Sequence, residues 1–462
     1  VWRTDNDGVT WTPVFEDQPT FTIGDLDVSD SDPDVVYVGT GENLLARSSF
    51  AGLGVFRSDD RGDTWTYVGL GDTHHIARIA VHPRDPDIVY VAALGHEYSR
   101  NEERGLFKTT DGGRSWEKVL YVDDRTGAVE VVLDPSDPDV VYAATNEHGR
   151  RAWQSSERGE GSGVWKSADA GRTWTRLQEG LPGGPHIGRI GLAVAPTNPG
   201  VVYAFINNGT PTEVETDEGT TTTRPGPEVY RSDNGGDSWR KVPMASETQG
   251  MGFYGDIVVS PDDADTFYAL AQNVHRSRDG GETFANVHGT VVHLYSHPSR
   301  SLHLDQHDLW VDPTNADRLI LGNDGGVYLS YDRGVNWLHL NNIPAGEFYA
   351  VSVDDADPYR IYGGTQDNAA HVGPADRLPE DGIDGAWRYV VGTRTGPNAD
   401  IYSNATNVAT VGSLVSTIST DTNPTAIGAQ ENGTGDADNP FIGIIDEARI
   451  SNLGRTVEYV QT

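Results

Sequence analysis

This sequence predicts an all-β protein made of repeated four-stranded antiparallel units, and three observations predict it. The 462 residues include 54 glycines and 25 prolines along the whole chain and only 36% hydrophobic residues, a composition of many short strands joined by turns. An eight-residue turn motif recurs seven times. A second motif, a turn followed by a short apolar strand, interleaves with it and also occurs seven times.

The first motif reads Ser/Thr-x-Asp-x-Gly-x-Thr/Ser-Trp. Its copies are TDNDGVTW (4–11), SDDRGDTW (58–65), TTDGGRSW (109–116), SADAGRTW (167–174), SDNGGDSW (232–239), SRDGGETF (277–284) and SYDRGVNW (330–337). The third-position carboxylate or amide accepts hydrogen bonds from the turn's own amides, and the glycine permits positive φ. The aromatic anchors the hairpin between sheets, so Trp11, Trp65, Trp116, Trp174, Trp239, Phe284 and Trp337 are expected to be largely buried.

The second motif comprises DPDVVYVG (32–39), DPDIVYVA (85–92), DPDVVYAA (136–143), NPGVVYAF (198–205), ADTFYALA (264–271), NADRLILG (315–322) and DPYRIYGG (357–364). A short apolar strand such as ARIAVHP or GDIVVSP precedes each. Each unit therefore reads strand A, turn, strand B, loop, strand C, turn motif, strand D, which is a β-propeller blade. The chain starts with strands C and D of a blade and its repeats end with strands A and B of one. Joining the ends makes a seven-bladed β-propeller over residues 1–370, closed by residues 1–15 pairing with the blade at 347–364, a closure that removes exposed sheet edges.

These turn motifs are Asp-boxes, also called BNR repeats. With VGTGENLLARSS, HIGRIGLAV, HRSRDGGETF, LGNDGGVYLSYDRG and YGGTQDN they make roughly residues 1–385 resemble propellers of the sortilin-like and bacterial secreted glycosidase-like group. The resemblance implies the fold and leaves the activity open, because those families share blades and not active sites. Residues 371–400 read as a linker containing GPADRLPEDGIDG. Residues 401–462 resemble part of a laminin-G or concanavalin-like jelly roll, a β-sandwich fragment, through Phe441, Gly443, Ile445, Asp446, Glu447, Arg449, Ile450 and Ser451.

A formal net charge of −35 repels phosphate and excludes nucleic acid as a partner. Lysine is confined to Lys108, Lys118, Lys166 and Lys241, so the surface suits a protein kept soluble in high salt or an acidic secreted one. Without cysteine there is no disulfide, thiol nucleophile or cysteine zinc site. No apolar run has the roughly 18 residues of a membrane span. The chain opens on VWRTDNDG, inside a repeat, and the expectation is a secreted or cell-surface protein whose leader, if there was one, has been removed.

Blade geometry places the Asp-boxes on a scaffold face and the D–A and B–C loops around the opposite, ligand-binding mouth. Strand A is innermost, which aligns Asp25, Arg78, Glu130, Gly191, Asp256, Asp308 and Ala350 as a ring at the channel entrance, acidic enough to hold calcium or to form a hydrated polar channel. The long loops add Glu42, Arg47, His96, Glu97, Arg100, Glu147, His148, Arg150, His74, His75, His186, Arg189, Phe253 and Tyr254. Arginines pair carboxylates and aromatics stack on sugars, so Glu42, Arg47, His75, Arg78, Glu147, His148, Arg189, Tyr254 and Asp367 are the candidate ligand-binding residues. In an extended His303-Leu304-Asp305-Gln306-His307, alternate residues share a face, which makes His303, Asp305 and His307 the candidate metal set. The sequence establishes no cofactor and offers a divalent metal, calcium or zinc, as the candidate.

There is no zincin helix and no P-loop, and the sialidase arginine motif is absent. A glycosidase needs two facing carboxylates, for which Glu42, Glu97, Glu147 and Asp367 are available. The first reading is a binding propeller that recognises a glycan or protein ligand at the mouth. The alternatives are a glycoside hydrolase acting on polysaccharide and a structural component of an extracellular assembly, with self-association.

Overall fold

The computed structural model describes residues 1–44, 49–151, 153–216, 219–224, 226–244, 255–293, 301–343, 345–365, 368 and 370–375, together with the strand segments 388–395, 398–403, 406–411, 430–431 and 437–439. Among the described residues there is no α-helix, and a single 3-10 turn occupies Gly71–Thr73. Among the described residues, no helix is long and apolar enough to cross a membrane. The chain divides into two compact units, Val1–Tyr295 with Ser299–Asn342, and Ser296–Pro298 with Ile343–Thr462.

The first unit is a succession of antiparallel four-stranded sheets, each in the order innermost to outermost that the repeat predicts. The first sheet holds Ile23–Val28, Val36–Thr40, Val55–Ser58 and Thr66–Gly69. The second holds Ile76–Val81, Val89–Ala93, Gly105–Thr109 and Glu117–Leu120, and the third Thr126–Leu133, Val141–Glu147, Gly163–Ser167 and Thr175–Leu177. The fourth is Ile187–Val194, Val202–Asn208, Gly226–Ser232 and Arg240–Lys241, and the fifth Ile257–Val259, Phe267–Leu270, Val274–Ser277 and Ala285–Asn286. The sixth is Gln306–Val311, Leu319–Asn323, Gly326–Ser330 and Asn336–His339, to which Thr290–His293 adds a fifth strand in parallel.

Each Asp-box closes on itself as its chemistry requires. In the box at 58–65, the Asp60 carboxylate accepts from the Thr64 amide at 2.8 Å and its hydroxyl at 2.6 Å, while Ser58 Oγ accepts from the Gly62 amide at 2.7 Å. The same bonds recur around Asp111, Asp169 and Asp279. The box aromatics correct the expectation in part. Trp239 and Trp337 are buried, at 6% and 2% exposure, but Trp11, Trp65, Trp116, Trp174 and Phe284 are half-buried. Indole N–H groups find backbone acceptors at both kinds of site: Trp65 Nε1 donates to Val14 O at 2.6 Å and Trp116 Nε1 to Val68 O at 2.7 Å, and the buried Trp239 Nε1 donates to Gly236 O at 3.0 Å.

The tyrosines of the second motif tie successive sheets together. Tyr37, Tyr90, Tyr142 and Tyr203 are buried, and their hydroxyls donate to the carbonyls of Pro86, Ala170, Gly235 and Ala264 at 2.8–3.0 Å. A cation caps each ring: Arg57, Lys108, Lys166 and Arg231 lie 5.0–5.5 Å from the respective centroids. The apolar cores are correspondingly interfacial. One cluster joins Tyr37 and Val55 of the first sheet to Ile76 and Val91 of the second, and another joins Tyr203 and Phe205 of the fourth to Ile257 and Phe267 of the fifth. Burial between consecutive sheets, rather than within one, is what makes the sheets of the first unit interdependent.

In the second unit Phe348–Val353, Arg360–Thr365, Ala370–Pro374, Arg388–Thr395, Asn398–Ser403 and Thr406–Val411 form one six-stranded antiparallel sheet. This corrects the expected closure. Arg360–Thr365 takes Phe348–Val353 and Ala370–Pro374 as its two neighbours, and Trp2–Arg3 pairs with Thr12–Pro13. A strand C drawn from the next few residues costs less loop-closure entropy than one from the far end of the chain. Gln430–Glu431 pairs with Ala437–Asn439, while Phe441 to Ser451, on which the jelly-roll resemblance rests, lie outside the described residues.

Candidate functional site

The innermost strands carry the site, and β-bulges aim it. The register shifts between Ile23 and Asp25, Ile76 and Arg78, Ala128 and Glu130, and Gln306 and Asp308, so the residue after each bulge is one of the aligned ring members. A bulge bends its strand and redirects the following side chain. In the fourth sheet the shift spans Ile187 to Ile190, which makes Arg189 the bulged residue and leaves Gly191 beyond it. Glycine is required there, because a Cβ on Gly191 would lie 2.4 Å from Gly255 O.

Arg78 is the hub of what converges. Its Nε and Nη2 donate to Glu130 at 2.9 and 3.2 Å, Nη2 also donates to Asp256 at 2.8 Å, and Nη1 lies 3.8 Å from Asp25. Burial works against the cation, but Asp256, Glu130, Asp25 and Asp308 outweigh it and hold Arg78 charged. The carboxyls outnumber their partner, and burial dominates them. It pushes Glu130 up to about 7 against the pull of Arg78, and raises Asp25 and Asp308 as well. Asp308 is reached by water although protein surrounds it on the channel walls. Arg189 donates to Asn43 O at 2.7 Å, and burial lowers its pKa to about 10.

These groups line a cavity of about 270 Å³ together with Glu42, Asn43, Leu44 and His307. A second cavity, of about 240 Å³, is lined by Glu97, Tyr98, Arg104, Glu147, His148 and Arg150 among others. There Arg150 Nε pairs with the buried Glu97 at 2.8 Å, and burial lifts Glu97 to about 7. Glu147 pairs with Arg125 at 3.0 Å and accepts from the Gly161 amide at 3.0 Å.

The candidate binding residues are thus divided. Glu42, Arg78 and Arg189 come together in the central cavity, and Glu147 and His148 in the second. His75 and His148 are buried and kept neutral by burial, at about 4 and 3, with Nδ1 bonded to Glu42 O at 2.8 Å and Asn146 O at 3.4 Å. His148 lines the second cavity, whereas His75 lines neither. Arg47, Tyr254 and Asp367 lie outside the described residues.

The metal set is a correction. Asp305 has φ 63°, and the strand begins at Gln306, so His303, Asp305 and His307 do not alternate along one extended face. His303 Nδ1 contacts Leu304 O at 3.1 Å, and His307 Nε2 bonds Asp324 Oδ1 at 2.6 Å. Among the described residues, the group whose ligand atoms gather within 4.8 Å of one another is Asp72, His74 and His96. Sequence reasoning also passed over Arg104, which is 1% exposed and donates to Asn101, His96 O and Ser99 O. No local pattern marks a loop arginine as buried.

Residues 53–183 match the family model described as "Sortilin, neurotensin receptor 3", and residues 308–461 match that of the "Concanavalin A-like lectin/glucanases superfamily". The chain carries a sortilin-type Asp-box propeller segment and a concanavalin-like segment. The second match overlaps the sixth sheet, whose strands start at Gln306. Among curated proteins, a xyloglucanase from Paenibacillus sp. is 23% identical over 74% of this chain and 28% of its own length. Xyloglucanase Xgh74A from Acetivibrio thermocellus is 25% identical over 46% of this chain and 25% of its own. The propeller-bearing chain therefore spans about a quarter of the length of these relatives. Among solved structures, an ancestral GH74 enzyme aligns with a TM-score of 0.49 at 15% identity, over 84% of this chain and 54% of that one.

Proposed function

We propose that this chain acts on polysaccharide, as a glycoside hydrolase or as the propeller part of one, at the mouth of the central cavity. The observation that carries this reading is the cavity's lining: Asp25, Glu42, Glu130, Asp256 and Asp308 share one space with Arg78 and Arg189. At about 270 Å³ the space is near the lower end of ligand pockets, roughly 300 to 1,000 Å³. Glycosidic cleavage needs one carboxyl that donates a proton and a second that stays charged. Asp308, raised by burial yet reached by water, suits the first role. Glu42, half-buried on the cavity wall, suits the second. Arg78 pairs with Glu130 and Asp256 across the ring and is committed to them. Similarity to xyloglucanases supports xyloglucan as the substrate class.

The same reading takes the repeated sheets of residues 1–370 as blades of a seven-bladed propeller and 401–462 as part of a laminin-G-like sandwich, on a secreted or surface-exposed protein, whereas the expected linker at 371–400 instead carries Ala370–Pro374, Arg388–Thr395 and Asn398–Ser403 of the six-stranded sheet. A second reading, binding of a glycan without cleavage, is favoured by one feature: the hub arginine is already committed to its own carboxylates. A polysaccharide screen that scores both retention and release of reducing ends separates the two. Release that is lost in Glu42→Gln and Asp308→Asn, with the fold retained, supports hydrolysis. Retention without release supports binding alone, and neither on any polysaccharide defeats both.

A further inference from the structure

We propose that Asp72, His74 and His96 bind a divalent transition ion of the zinc class where two loops of the first unit meet. His74 follows the 3-10 turn Gly71–Thr73, and His96 follows the strand Val89–Ala93. Their rings stack with centroids 3.6 Å apart and planes 18° from parallel. With the Asp72 carboxylate, their ligand atoms all lie within 4.8 Å of one another. Tetrahedral zinc with bonds of about 2.1 Å spaces its ligand atoms about 3.4 Å apart, so closure takes a movement on the order of 1 Å together with rotation of the two rings out of their stack until their nitrogens converge. The Asp72 side chain is 73% exposed and can supply that movement.

The surroundings already orient the ligands. Ser99 Oγ bonds His96 Nδ1 at 2.9 Å, which turns Nε2 toward Asp72, 3.1 Å from its carbonyl and 3.5 Å from Oδ1. A partner on the far nitrogen is the usual support of a metal-bound imidazole. Asn101 joins the loops, accepting from the His96 amide at 3.0 Å and donating to Asp72 O at 3.3 Å. The backbone holds His74 at φ 60° and ψ −46°, a conformation seldom adopted outside glycine, and this places its ring in the stack. The His74 carbonyl accepts from the Gly52 amide at 2.7 Å, while its imidazole makes no hydrogen bond among the described residues.

The donor set selects the metal class. Two imidazoles and one carboxylate favour zinc, nickel or copper over calcium, which prefers oxygen throughout. Three protein ligands at a rim leave the fourth position to water. Because Glu97 and Tyr98 follow His96 directly, an ion here would also brace one wall of the second cavity.

The test is calorimetric titration of chelator-treated, dialysed full-length protein with zinc chloride alone, with cobalt absorption and thermal melts alongside. The expected result is one equivalent bound with a raised Tm, and at least tenfold weaker binding in His74→Ala and in His96→Ala. Should His96→Ala fail to fold, His96→Gln, which can retain a bond to Asp72, takes its place. Ser99→Ala should weaken binding by roughly tenfold. No stoichiometric binding at 100-fold lower zinc than is needed to saturate free histidine would overturn the site. So would unchanged affinity in the His74 and His96 variants, or loss of binding in His303→Ala instead.

Discussion

Replacing Arg78 with leucine removes a cation that bridges carboxylates on or beside the inner strands of several sheets. Glu130 loses bonds of 2.9 and 3.2 Å, Asp256 loses one of 2.8 Å, and Asp25 loses a charge 3.8 Å away. Removing one partner of a buried ion pair costs about 3–5 kcal/mol. Arg78 keeps 24% of its side chain accessible, so the lower end, about 3 kcal/mol, applies where the carboxyls are charged. The cost depends on pH. A carboxyl whose pKa folding raises contributes stability that is complete below its unfolded value, near 4, and lost as pH rises through the folded value, about 7 for Glu130. At pH 5 Glu130 is already protonated, so the leucine variant should lose less than at pH 8, although the bond to Asp256 is lost at both. At pH 8 the full loss appears. Urea unfolding of both proteins at pH 5 and pH 8, followed by tryptophan fluorescence in constant salt, measures the difference. A penalty below about 1 kcal/mol at pH 8, or one that does not change with pH, would refute the view of Arg78 as the counter-ion of a raised carboxyl ring.

Further outcomes follow from the same structure. Trp239→Ala should cost about 3–5 kcal/mol, whereas Trp174→Ala, at a half-buried ring, should cost clearly less, as paired urea curves will show. Hydroxyl and amide bonds from Ser115, Thr173 and Thr283 hold Asp111, Asp169 and Asp279 down at about 2. Their contribution is present above the unfolded value and lost as pH falls from about 4 toward 2, so Asp111→Asn should shift acid unfolding to higher pH in a fluorescence titration. With a net charge of −35, the melting temperature should rise with potassium chloride toward molar concentrations, and a flat or falling series would remove the case for adaptation to salt.

The repeat architecture was legible in the residues because each Asp-box is a local device. Its carboxylate, hydroxyl and glycine complete their bonds within eight residues, as Ser58, Asp60, Gly62 and Thr64 do. Strand order followed from the two interleaved motifs, and the aligned ring positions did identify Asp25, Arg78, Glu130, Asp256 and Asp308 as neighbours in space. What the sequence alone left undecided depends on groups far apart along the chain. The fourth box position turns to positive φ at Asp7, Arg61, Ala170 and Arg333, where no glycine announces it, because the surrounding turn imposes the conformation. The His303–His307 segment looked extended by spacing alone, yet Asp305 is drawn into a left-handed turn by its bond to Gln272 O and by Asp324. The pairing of His74 with His96 and the burial of Arg104 were settled by packing between loops. Local hydrogen bonding is written in adjacent residues, whereas a charge's neighbours and a strand's edge are decided only when distant segments meet.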